Sequence, residues 1–206
     1  MPNWCKNKLN LSAEKDKLLS FLYGIEKDGL FNSIIPTPKE FKNNLSFCKD
    51  SQLFFYDENH KKFIFDETYQ KMLIEKYGTF KLDQWKKTNW GTSFEADILS
   101  DIKELIADVI NQKDKIVNIS IDFLSGWSPP LKFYEVLFSK QIKLMGYYYE
   151  AGNCFYGWFD GTTNHRFNFV DFEDINIEIT KVFNLKKELP EEDNSKIGRA
   201  SCRERV

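Results

Sequence analysis

The chain has 206 residues, 42% of them hydrophobic and 29% charged with mixed sign, and 19 are Phe. That length and balance suit a folded domain with an aromatic core and exclude a disordered composition. No apolar run is long enough for a bilayer, so neither a membrane span nor a signal peptide is expected and a cytoplasmic protein is the reading.

Residues Trp4 to Leu11 alternate, with Cys5, Asn7, Leu9 and Leu11 on one face, and predict a half-buried strand. Ser12 is placed to cap a following helix that carries Leu18, Leu19, Phe21 and Leu22 and stops at Gly24. Pro36 and Pro38 remove ladder donors, so residues 31–41 read as an extended loop. A second helix starts at Asp66 and ends before Gly78, and Trp85 to Ala96 reads as a loop. The apolar spacing from Ile98 to Ile110 predicts an amphipathic helix over 97–112.

Val117 to Phe123 alternates as a strand, and Gly126-Trp127-Ser128-Pro129-Pro130 breaks it before a helix over 131–139. Strands over 141–150 and 154–160 flank a turn at Ala151-Gly152-Asn153, where Gly152 would supply a positive φ. A third strand covers 165–169. Residues 171–183 fit a strand or a helix equally.

These elements predict an α+β fold, an antiparallel sheet with helices on one face, whose C-terminal half over 113–185 is a ferredoxin-like split βαβ unit. A βα unit at 3–24 and an intervening segment at 25–112 complete one domain over 1–185. Residues 186–206 form a charged tail. Its last ten residues, IGRASCRERV, hold three of the chain's four arginines and read as non-native read-through. Setting them aside removes three Arg and one Glu from 29 basic and 31 acidic residues and leaves a net charge of −4. No electrostatic footprint for duplex nucleic acid follows.

Five motifs occur in order: Pro2-Asn3-Trp4-Cys5-x-Asn7, Phe31-Asn32-x-Ile34-Ile35-Pro36-x-Pro38, Asn89-Trp90-Gly91-Thr92, Trp127-Ser128-Pro129-Pro130 and Tyr148-x-Glu150-x-Gly152-x-x-Phe155-x-Gly157. Together they resemble the YubB-type ferredoxin-like family of phage and plasmid proteins. The chain departs from that pattern at Leu11-Ser12-Ala13, where a glycine is expected, and at Ser93-Phe94, where a Lys-Trp pair is expected. The resemblance implies a ferredoxin-like C-terminal half and a mobile-element origin, and it implies no activity.

Glu150, beside a turn, is the strongest acid candidate, as a ligand anchor or a cap for backbone amides, but it has no carboxylate or histidine partner in its motif. The chain has no G-x-S-x-G elbow, P-loop or G-x-G-x-x-G, and its four scattered cysteines and two histidines suit neither a metal site nor a cofactor. Buried free thiols are the simpler expectation. Trp90, Trp127, Tyr148 and Trp158 combine a stacking face with a polar handle. With Asn89, Ser128, Glu150 and Arg166 they form the candidate ligand set. Residues His165 to Phe172 echo the RNA-recognition octamer only in part, lacking its small residues.

The expected function is a non-enzymatic binding protein that sequesters a small nucleotide-like ligand, such as a host defence signal. The alternatives are a module that docks a host protein and a single-stranded nucleic-acid binder. Homo-oligomers are compatible with each.

Overall fold

A computed structural model describes residues 3–42, 46–49, 52–57 and 61–185. The tail at 186–206 lies outside the described residues. Strand β1 (Trp4–Glu14) leads into helix α1 (Lys15–Asp28), and a short helix α2 (Lys39–Lys42) follows the proline loop. Strands β2 (Ser46–Lys49), β3 (Gln52–Asp57) and β4 (Lys62–Phe65) pair as a small antiparallel sheet. Helices α3 (Glu67–Tyr77) and α4 (Leu82–Trp90), strand β5 (Asp97–Ile98) and helix α5 (Ile102–Asn111) come next. The chain continues through β6 (Ile116–Gly126), α6 (Leu131–Ser139), β7 (Lys143–Glu150), β8 (Phe155–Phe159), β9 (Asn164–Asn168) and α7 (Ile177–Val182).

The main sheet has six strands in the order β5-β6-β1-β7-β8-β9, and every neighbouring pair is antiparallel. β1 therefore lies between β6 and β7, two mutually parallel strands joined through α6. Period-two burial explains this centre: Leu9 and Leu11 of β1, Ile121 and Phe123 of β6 and Leu144 of β7 all turn to one side. On that side they meet Leu18 and Leu22 of α1, Val109 of α5 and Phe133 and Leu137 of α6 in one core. At about 25 cal/mol per Å² of apolar surface removed from water, this layer is the main source of stability.

Several expectations need correction. The first helix runs through Gly24 and ends at Gly29, whose φ of 89° only glycine adopts readily, while Ser12 belongs to β1. Residues 85–90, read as the start of a loop, belong to helix α4, capped by Gly91 in the left-handed conformation. Asp97 and Ile98 are a strand, and the helix behind them starts after Asp101, whose carboxylate accepts from the Lys103 and Glu104 amides. Gly152 does not have a positive φ; Cys154 does, at 52°. Glycine is needed at 152 for space, since a Cβ would lie 2.5 Å from Asn3 Nδ2. Cys5 is a buried free thiol, whereas Cys154 is disulfide-bonded.

The ambiguous residues 171–183 form a 3₁₀ turn and helix α7. α7 also corrects the placement of all helices on one face. Its Ile175 and Ile179 flank pack against Tyr156, which points to the side opposite Phe155. Tyr156 Oη donates to the Asp174 carbonyl at 3.1 Å.

Candidate functional site

Three of the five motifs that stood out in the sequence, those of Asn7, Gly91 and Ser128, are tied to one another by hydrogen bonds. Asn7 Nδ2 donates to Ser125 Oγ at 2.9 Å, and Ser125 Oγ donates to the Ser128 carbonyl at 2.7 Å. Ser128 Oγ reaches the Gly91 carbonyl at 2.8 Å, and Thr92 Oγ1 reaches the Gly126 carbonyl at 2.7 Å. The Trp127 amide donates to the Asn3 carbonyl at 2.8 Å. These bonds clamp the end of α4 onto the start of α6. Gly91 makes the approach possible, because a Cβ there would sit 2.9 Å from the Leu131 nitrogen.

A cleft of about 280 Å³ opens beside this seam, where the helix layer stops short of the β9 edge. α4 contributes Lys87 and Gly91, the α6 entry contributes Ser128, Pro129, Leu131 and Lys132, and the sheet contributes Tyr148, Asn164 and Arg166. Register places the last group: Tyr148, Gly157 and Arg166 pair in one row across β7, β8 and β9. A Cβ on Gly157 would come within 2.0 Å of the His165 carbonyl and 2.5 Å of Tyr148 Oη. Glycine there lets the Tyr148 ring cross β8, so its hydroxyl reaches Asn164 Oδ1 at 2.8 Å and the His165 carbonyl at 3.2 Å.

The cleft is cationic. Arg166 lies over the Phe155 ring, 4.0 Å from its centroid, which orients the guanidinium without neutralising it. Among the described residues no carboxylate forms an ion pair with Arg166 or Lys87, and Lys132 shares its charge with Glu135 at 2.8 Å on the exposed side of α6. Burial, partly opposed by Asn164 and Arg166, pushes the Tyr148 hydroxyl up to about 12, so it is a neutral donor near pH 7. Two unpaired cations, a third nearby and the Asn164 side-chain amide can hold a phosphate-sized anion.

The sequence-derived set divides. Ser128, Tyr148 and Arg166 line the cleft. Trp127 is exposed beside Ser128, at φ 70°, and is not among the lining residues. Trp90 is fully buried against Phe31 and Trp85 and donates to the Ile35 carbonyl at 2.9 Å. Asn89 turns its side chain back onto the Trp85 carbonyl of its own helix at 2.8 Å. Trp158 is on the opposite face of the sheet, stacked on His165 and Phe167.

Glu150, 1% exposed, accepts from the Gly152 amide at 2.7 Å and the Asn153 amide at 2.5 Å. Its carboxylate caps these two turn amides, and it does not line the cleft. Lys87, Lys132 and Asn164 were not foreseen. Lys87 was masked by reading its helix as loop, and the other two reach the cleft only through strand and helix pairing.

Among the described residues no group of three or more His, Cys, Asp and Glu could hold a metal ion, and no helix is long and apolar enough to cross a membrane. No protein-family model, curated protein or solved structure matches the chain.

Proposed function

We propose that this chain is a non-enzymatic binding protein that captures a small phosphate-bearing, nucleotide-like ligand in the Arg166 cleft. The convergence of Lys87, Lys132 and Arg166 from three elements onto one concavity carries the reading. A volume of about 280 Å³ suits a phosphate with its sugar, leaving the base against the Pro129 and Leu131 wall. The proposal includes a phage or plasmid origin of YubB type, in which the captured ligand is a host signal. It treats β6–α6–β7 around β1 as a ferredoxin-like split βαβ unit; the strand order supports that reading.

Calorimetry with linear and cyclic nucleotides and inorganic phosphate tests it. At least one nucleotide is expected to bind below about 100 μM, roughly −5.5 kcal/mol. Arg166→Ala and Lys87→Ala should each weaken that binding about tenfold or more, about 1.4 kcal/mol. A panel in which nothing binds removes the reading.

A second reading, docking of a host protein, is favoured by an aromatic patch at one end of the sheet. Trp4, Phe94 and Trp127 are 42%, 45% and 46% exposed, and Phe94 packs over Gly126, the partner of Trp4 in β6. Loss of a stoichiometric host partner in Trp127→Ala, with nucleotide binding intact, would distinguish it.

A further inference from the structure

The face of the main sheet turned away from the core is only partly covered. Helix α7 and Phe169 sit over Tyr149 and Tyr156. Beside them lies a trough of about 500 Å³ whose floor comes from three neighbouring strands. Register sets two rows across it: Asn118, Ser12 and Lys143, then Ser120, Asn10 and Met145. The next row runs Asp122, Lys8, Tyr147, Trp158 and His165.

We infer that this open face binds single-stranded nucleic acid, with base edges on the Asn10, Asn118, Ser12 and Ser120 floor and phosphates on Lys6 and Lys143. Four observations favour that occupant. Asn10, Ser12, Asn118 and Ser120 put amides and hydroxyls, the groups that pair with base edges, on this floor beside Met145. Ser120 Oγ is buried in this floor and has no hydrogen-bond partner among the described residues, an arrangement that calls for one.

The charges complement an anion as well. Lys143 lines the trough and Lys6 lies two rows beyond Asn10 on the same face, both exposed, and the carboxylate of Asp122 on this face is already taken by Lys8 at 3.1 Å. One row beyond the trough, Trp158 stacks on His165 at 5.1 Å and on Phe167 at 5.4 Å, within the aromatic set that packs with Tyr156, Ile175 and Ile179. These rings are positioned before any ligand arrives. The site is separate from the Arg166 cleft, since the register places Arg166 on the other side of β9 from His165 and Phe167.

Fluorescence anisotropy with a labelled 12-nucleotide mixed-sequence RNA, its DNA counterpart and the matching duplexes tests the inference. The single strands should bind at 50 mM salt and weaken about tenfold at 300 mM, as expected for two phosphate contacts. Lys6→Glu with Lys143→Glu should abolish binding, and the milder Lys6→Gln with Lys143→Gln should weaken it and flatten the salt dependence. Arg166→Ala should leave it within about twofold, which separates this site from the cleft. Absence of binding at 50 mM salt overturns the inference. So does equal affinity for duplex, equal affinity of Arg166→Ala for free mononucleotides, or binding that depends on Arg166 and ignores both lysines.

Discussion

Glu150 carries a carboxylate into a nearly closed environment and holds two turn amides there. Glu150→Ala leaves those amides without their acceptor, and charge-assisted bonds of this kind justify a loss of about 2–4 kcal/mol. Urea unfolding should register that loss, while nucleotide affinity of the folded protein stays within about twofold, because Glu150 does not line the cleft. Unchanged stability with lost affinity would return Glu150 to the ligand. From the sequence, an acid beside a turn fits a cap and a ligand contact alike; only the direction of its side chain separates them. Gly157 was legible as part of a motif, but not its reason. Gly157→Ala should destabilise by about 3 kcal/mol or expel Tyr148 from its seat, since backbone at 2.0 Å cannot give way.

Elements whose burial repeats at period two or 3.6 were readable: β1, β6 and β7 alternate over their lengths, and α6 was found at its bounds. Helix α4 was not. Its buried residues are Trp85 and Trp90, five positions apart, with Thr88 and Asn89 between them, so neither spacing nor propensity marks a helix. Packing of both Trp rings against Phe31 and Phe41, together with the Gly91 cap, supplies what the local sequence lacks. The positioning of Lys87 therefore depends on one glycine. Gly91→Ala meets both a positive φ, worth about 1–2 kcal/mol, and the first turn of α6. It should lower the urea midpoint and weaken nucleotide binding together. Asp101→Ala, which removes a helix cap remote from the cleft, should cost about 1 kcal/mol and leave binding unchanged.

Across the whole molecule, the alternating strands foretold a two-sided sheet, but not which rings would be covered on its second side. Residues 171–183 carry both periodicities, and the outward aromatic face that includes Tyr149 and Tyr156 gives α7 a surface to bury against. The first side has a property that can be titrated. Burial, with a further contribution from the Glu150 charge, pushes the Cys5 thiol well above its ordinary value. Burial likewise raises the hydroxyls of Tyr134 and Tyr148, the latter to about 12. Each group is neutral in the folded chain at a pH where the unfolded chain has already lost the proton. The unfolded state then binds fewer protons, so stability falls as pH rises. The contribution is intact below about pH 8. Loss begins as the unfolded thiol ionises near 8.5 and steepens near 10 as the phenols follow, with about 1.4 kcal/mol lost per pH unit for each group. Urea midpoints from pH 7 to 10.5 should show this decline. Cys5→Ala should lower stability by a constant amount and remove the slope between about 8.5 and 10, leaving the steeper phenolic limb. A slope that survives the substitution would assign the alkaline loss to another group and show that the thiol ionises as readily folded as unfolded.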